Sequence, residues 1–245
     1  MKENLTVDPK EIAHFAAMAD SWWDAGGKFK PLHDLNPVRM QFIRDHIAQH
    51  FGKDITQPAP FGGLRMLDIG CGGGLVCEPL ARLGADVTGI DATEENIGVA
   101  HLHAEQMGLT IDYRHTTAEA MVQQNKQYDI VFALEIIEHV ADIDAFLDAA
   151  TALVKPGGLL FMSTLNRTAK SYALAIVGAE YVLRWLPRGT HHWNKFLKPS
   201  ELVLPLETRG LKTEALTGLT FNPLSREWRL NGKDLSVNYM LAAVK

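Results

Sequence analysis

Two carboxylates bracket the residues best suited to chemistry in this chain. Asp68 sits inside the apolar run Met66-Leu67-Asp68-Ile69, which empties into Gly70-Cys71-Gly72-Gly73-Gly74, and Asp91 closes the next apolar run, Val87-Thr88-Gly89-Ile90. A strand ending in a turn stripped of side chains lets a ligand touch backbone, and an acid about twenty residues on is spaced to hold the ribose hydroxyls of a nucleotide-like group. Further along, Glu135-Ile136-Ile137-Glu138-His139 offers three oxygen or nitrogen donors that one helical turn can gather, and Asn166 follows the next strand at the neighbouring lip.

The loop discriminates among ligands. A dinucleotide fold wants G-x-G-x-x-G, but the third position after Gly72 is Leu75, and no Gly-Lys-Ser/Thr follows to make a phosphate loop. The pattern present is D-x-G-x-G-x-G. A carboxylate two residues before the first glycine repels a pyrophosphate and suits a cation. S-adenosylmethionine (SAM) carries a sulfonium and an α-ammonium but no phosphate, so it fits, whereas a ligand-free turn is the plain alternative. The glycine loop with its paired acids resembles motifs I and II of class I SAM-dependent methyltransferases, which places Asp68, Gly70, Gly72 and Asp91 at the cofactor.

Three readings stay open for the second cluster. Glu135, Glu138, His139 and Asn166 can hold a divalent ion that binds a phenolic oxygen and favours its phenolate. His139 or Glu138 can instead be a metal-free general base, since phenols titrate near 10 and a positioned base contributes about 10²–10⁴-fold. The third reading is structural, with Glu138 solvated and His139 capping or packing. Arg39, three residues after an expected Asn36 cap, is suited to the methionine carboxylate of SAM through a bidentate contact, or is simply solvated.

These residues need a scaffold, and the chain is long enough for one. At 245 residues, 47% apolar and 22% charged, it is sized for one α/β domain, 1–245. A net charge of −5 argues against general nucleic-acid binding. Cys71 and Cys77 match no zinc spacing, and a disulfide would distort the turn, so both read as reduced thiols of a cytoplasmic protein. Residues 1–20 carry four acids and no signal peptide, and no apolar run reaches bilayer length.

Strand and helix alternate from Arg65 onward, with strands near 65–69, 86–90, 111–115, 128–133 and 158–164 and helices near 74–83, 94–107, 118–124, 143–154 and 198–209. Two last strands, near 212–219 and 236–244, are expected as an antiparallel hairpin, which completes a seven-stranded doubly wound sheet over 64–245. Ahead of it, 1–63 reads as a helical cap. Its first helix opens on a capping box, with Asp8 the cap, Pro9 in the first turn and Glu11 the reciprocal acceptor; Ile12, Phe15, Ala16, Ala19 and Trp23 mark one face. A second helix is expected from Asn36-Pro37.

An insertion, 168–197, follows the fifth strand. Arg167, Lys170, Arg184, Arg188, Lys195 and Lys198 face one local acid, Glu180, beside a mostly apolar stretch from Tyr172 to Leu186. This composition suits either an interfacial segment on anionic lipid or a lid packed on the core.

Beyond the glycine loop, the chain resembles bacterial ubiquinone-biosynthesis O-methyltransferases through Ser21-Trp22-Trp23-Asp24, Phe29-Lys30-Pro31-Leu32-His33, Asn36-Pro37-Val38-Arg39, Glu135-Ile136-Ile137-Glu138-His139-Val140, Ser163-Thr164-Leu165-Asn166-Arg167 and Val237-Asn238-Tyr239-Met240-Leu241. The resemblance implies a Rossmann-like fold and SAM contacts at Arg39, Gly70, Asp91 and Leu134. It implies methyl transfer to polyprenyl-hydroxyphenol and demethylubiquinol acceptors. It also implies peripheral association with the inner face of the cytoplasmic membrane and contact with other ubiquinone-biosynthesis proteins. A C-methyltransferase of quinone metabolism, another small-molecule methyltransferase and a SAM-binding assembly component are the competing functions.

Overall fold

A computed structural model describes residues 6–24, 26–174, 176, 192–222 and 225–245. Five parallel strands form as the alternation predicts: β1 (Arg65–Ile69), β2 (Asp86–Asp91), β3 (Asp112–His115), β4 (Tyr128–Leu134) and β5 (Val154–Leu165). Side chains alternate between two cores, as period-two strands require. Met66, Ile130, Phe132, Leu159 and Phe161 point to one core, and Leu67, Val131, Ala133, Leu160 and Met162 to the other. Helices α2 (Lys30–Phe51), α3 (Cys77–Arg82) and α4 (Glu94–Gln106) cover the first face. Helices α5 (Ala118–Gln123), α6 (Ile143–Leu153) and α8 (Pro199–Thr208) cover the second. A short α1 (Pro9–Ala16) and a single turn, α7 (Ala169–Ser171), complete the helices used below.

Among the described residues the sheet has eight strands rather than seven; with β6 (Lys212–Asn222), β7 (Glu227–Asn231) and β8 (Asn238–Val244) the order is β3-β2-β1-β4-β5-β8-β6-β7. The two last expected strands do pair antiparallel, but β7 intervenes in the chain and takes the edge. β8 inserts between β5 and β6, antiparallel to both, and β7 pairs with β6. The extra strand was hidden because Glu227-Trp228-Arg229-Leu230-Asn231 carries only two apolar residues, as an edge strand does.

The cap departs from expectation in two places. α2 starts at Lys30, six residues before the expected Asn36, because Pro31 occupies the first turn, where its missing N–H costs nothing. Pro37 then lies inside the helix, and Leu35, Arg39, Phe42, Ile43 and Ile47 bury one face at helical spacing. Freed from capping, Asn36 donates Nδ2 to Leu75 O at 2.8 Å. Asp8 does cap α1, accepting from Lys10 N at 2.9 Å, but Glu11 is no reciprocal acceptor; it turns to His139 and Lys195. α1 also stops at Ala16, and a 3-10 turn, Ala19–Ser21, leads to Trp22.

Candidate cofactor and acceptor site

β1, β2, β4 and β5 deliver their carboxyl ends to one lip of the sheet, where open α/β folds bind ligands. A crevice of about 2180 Å³ opens there, lined by Arg39, Asp68, Gly70, Gly72, Asp91, Leu134, Glu135, Glu138 and His139 among others. The structure thus brings together every predicted site residue except Asn166, which turns its Nδ2 to Leu235 O at 2.8 Å.

The glycine loop is held by β2. Gly70 N and Cys71 N donate to Ile90 O at 2.8 and 3.0 Å, and Gly72 N donates to Asp91 Oδ2 at 2.9 Å. Gly70 and Gly72 take φ values of +74° and +53°, a region that side chains disfavour. A Cβ at Gly70 would run into Ile136, and one at Gly72 into the Trp22 ring. Trp22 stacks on Phe29 at 3.8 Å and gives its Nε1–H to Asn96 Oδ1 at 2.8 Å, while Trp23 Nε1 reaches Gly73 O at 2.9 Å. The cap therefore roofs the loop.

The charges at this end suit a zwitterionic, cationic ligand. Asp91 is buried, and its Oδ1 accepts from Thr93 N at 2.8 Å and Asn96 Nδ2 at 3.3 Å. Burial raises its pKa, and the backbone donors of Thr93 and Gly72 pull it back. Burial lifts Asp68 to about 7, against the Cys77 thiol, which donates to it at 3.4 Å, and against Arg39. A nearby cation would favour its ionised form. Arg39 is 3% exposed; its Nη2 donates to Asn36 Oδ1 at 3.2 Å, and its buried Nε has no partner among the described residues. A guanidinium with an unused buried donor calls for an anionic acceptor. These residues fit SAM: a ribose on Asp91, a carboxylate on Arg39, an ammonium near Asp68.

The acid-rich end is organised differently from the predicted metal set. Glu135 adopts φ +52°, rare for a non-glycine and strained by about 1–3 kcal/mol. Its surroundings hold it there. Its N donates to Ser163 O at 3.0 Å, while Ser163 Oγ donates to Oε1 at 2.6 Å and Asn238 Nδ2 lies 3.1 Å from both carboxylate oxygens. Buried Glu138 accepts from Thr164 Oγ1 at 2.8 Å through one oxygen; the other, Oε1, has no partner among the described residues. Burial raises the Glu138 pKa, and the neighbouring Glu135 charge raises it further. His139 Nδ1 meets Glu11 Oε2 at 3.1 Å, and Lys195 Nζ meets Glu11 Oε1 at 3.1 Å. Burial works against the imidazolium, but the Glu11 hydrogen bond and the Glu138 charge outweigh it and raise the His139 pKa. Glu11 is pushed up by burial, yet His139 and Lys195 prevail and hold it at about 2.

Glu135, Glu138, His139 and Asn166 thus answer to four different neighbours. Among the described residues, no three His, Cys, Asp or Glu side chains gather as ligands of one ion. Ser163, Thr164, Asn238 and Glu11 are site residues that the motifs did not single out for this role. Ser163-Thr164 and Asn238 carried a signal nonetheless, as polar residues at the ends of otherwise apolar strands.

Three of the basic residues around the insertion are ion-paired, whereas Lys198 is exposed. Arg167 bonds Glu201, Lys170 bonds Asp234 at 2.8 Å, and Lys195 bonds Glu11, all acids from distant segments. Residues 177–191, with Arg184 and Arg188, lie outside the described residues. Cys71 and Cys77 are buried free thiols, as expected. No helix among the described residues is long and apolar enough to cross a membrane.

Comparison with known proteins agrees with this geometry. A family profile described as a methyltransferase domain matches residues 38–216. A protein of Roseobacter denitrificans named ubiquinone biosynthesis O-methyltransferase is 59% identical over 240 residues, covering 98% of this chain and 97% of its own. One of the same name from Cereibacter sphaeroides is 56% identical over 245 residues, covering 100% and 99%. Among solved structures, the plantazolicin methyltransferase BamL, in complex with a triazolic desmethylPZN analog and SAH, superposes with a TM-score of 0.66 at 16% identity, covering 96% of this chain and 97% of that one. Magnesium protoporphyrin IX methyltransferase from Synechocystis with bound SAM gives 0.61 at 19% identity, covering 99% of each. At such identities, these two likenesses speak for the fold.

Proposed function

This chain belongs to the ubiquinone biosynthesis O-methyltransferases of the methyltransferase-domain family, and from that we propose how its residues divide the work. It is a SAM-dependent O-methyltransferase, and near-full-length identity of 55–59% to relatives of that name carries the conclusion. When bound, SAM supplies a sulfonium methyl that an acceptor oxygen takes in one in-line displacement, leaving S-adenosylhomocysteine.

Asp91 holds the ribose, Arg39 the methionine carboxylate, and the backbone of Gly70 and Gly72 admits the amino-acid part. Leu134, 8% exposed at the end of β4, gives adenine an apolar wall. Glu138 is the better general base of the two candidates. Its raised pKa brings it towards working pH, and Oε1 is unused, whereas His139 is held as the charged partner of Glu11. The acceptor's proton passes to Glu138, and His139 stabilises the carboxylate's charge between turnovers. Orientation within the crevice supplies the rest.

The acceptor is a polyprenyl phenol or quinol of ubiquinone synthesis. Incubation with SAM and a prenylated catechol, followed by mass spectrometry with fragmentation, tests this. A methyl on oxygen supports it, a methyl on carbon indicates the C-methyltransferase reading, and SAM binding without turnover on any such phenol indicates an assembly role.

One observation favours a second reading of the acid-rich end. Glu138 Oε1 is a buried oxygen without a partner among the described residues, and with Glu135 on the same crevice lining it would hold a divalent cation that polarises the phenol. Activity lost to a chelator, restored by Mg²⁺ and unrestorable in E138Q supports this reading over the free base. A place in the cytoplasm fits the free thiols. Docking on anionic lipid, or on other ubiquinone-biosynthesis proteins, draws little support from Arg167, Lys170 and Lys195, which are ion-paired.

A further inference from the structure

The crevice is larger than its chemistry needs. About 2180 Å³ exceeds the roughly 300–1,000 Å³ of an ordinary small-molecule pocket. Beyond Asn238, which pairs with Leu219, β6 and β7 add an apolar strip to the wall. Residues Leu219 and Phe221 of β6 stand opposite Leu230 and Trp228 of β7 in the antiparallel register. With a period of two, these four side chains share one face of the edge hairpin. The Phe221 and Trp228 rings are 5.4 Å apart, and both side chains are half-buried and line the crevice together with Leu219. Helix α2 packs against this hairpin, and its Leu35 and Val38 line the same space. The exposed Arg226, Glu227 and Arg229 of the hairpin line the same crevice, so the apolar strip is bordered by charge.

We infer that this strip, Leu219-Phe221-Trp228 facing Leu35 and Val38 of α2, is the subsite for the isoprenoid chain of the acceptor. The inference rests on the reading of the acceptor as a polyprenyl phenol. A flexible, polar-group-free chain is what such a strip can recognise, because each buried methylene adds affinity and no hydrogen bond is required. The strip is continuous with the crevice that holds Glu138, so a ring presented to that carboxylate can trail its chain along the hairpin. SAM has no part that needs this wall.

The test compares two acceptors, a catechol without a chain and one carrying a farnesyl chain, on wild type and the F221A/W228A variant at saturating SAM. The ratio of kcat/KM for the chain-bearing to the chainless acceptor is expected to fall at least about tenfold, equivalent to about 1.4 kcal/mol of chain binding. An unchanged ratio overturns the assignment, as does a variant whose main defect is SAM affinity. V38W, which narrows the groove from the opposite wall and leaves the hairpin intact, is expected to lower the same ratio and covers a hairpin variant that fails to fold. Calorimetric binding of the farnesylated catechol, without methyl transfer, separates the two inferences. Binding lost in the variants without any turnover by wild type supports the strip and refutes the reaction; absence of binding to wild type refutes the strip.

Discussion

Glu11 and His139 stand 3.1 Å apart across 128 residues of sequence, joining the cap to the acid-rich end of β4. Both are mostly buried, with 17% and 12% of their side chains exposed. Replacing Glu11 by Gln removes a charge-assisted bond and should destabilise the protein by about 1.5–3 kcal/mol. The sign with pH follows from the two shifts. Glu11, depressed to about 2, contributes above its unfolded value and loses that contribution as pH falls through 2. His139, raised, contributes below its unfolded value and loses it as pH rises through its folded value. The melting-temperature gap between wild type and E11Q should therefore be widest at about pH 5–6, between the two unfolded pKa values, and narrow in alkali.

Asp91 and Arg39 should govern cofactor affinity. Asp91→Ala removes a ribose partner and also frees Gly72 N and Thr93 N. SAM dissociation constants from calorimetry should rise about 10²–10⁴-fold, two charge-assisted bonds being at stake. Arg39→Lys should not restore what Arg39→Met loses, because an ammonium cannot present the planar pair of donors.

Glu138→Gln should lower kcat by about 10²–10⁴-fold while SAM affinity stays near the wild-type value. A base with a raised pKa gives a rate that climbs with pH as it ionises. That acidic limb of the kcat profile should flatten in the variant.

Two glycines should respond oppositely. Gly72→Ala forces a Cβ into Trp22 at φ +53° and should cost both stability and SAM binding. Gly98, exposed on α4 with nothing near its Cβ position, should tolerate Ala and gain about 0.5–1 kcal/mol in denaturant unfolding.

Much of this molecule was readable in one dimension, and the boundary is physical. β1, β2, β4 and β5 were legible because buried parallel strands are apolar runs bounded by Gly, Asp and Pro, and the ligand loop sits where such a run ends, whereas edge strand β3, with Tyr113 its one apolar residue, was placed by the strand–helix alternation. β7 was not, since an edge strand needs few apolar residues. The start of α2 was misread because Pro31 and Pro37 look like boundaries, although one fits a first turn and the other is tolerated within. Asp68, Asp91, Glu138 and His139 stood out by spacing. The company they keep did not: Glu11, Ser163, Thr164 and Asn238 reach them only through tertiary contact, which no local pattern encodes.

The sheet order has a consequence for biosynthesis. β8 leaves the ribosome after every other strand described, yet it belongs in the interior, between β5 and β6. Until Asn238–Val244 has been synthesised, β5 and β6 are two further unpaired edges beside β3 and β7, each able to recruit a stray strand. A message truncated just before codon 238 should thus yield aggregates.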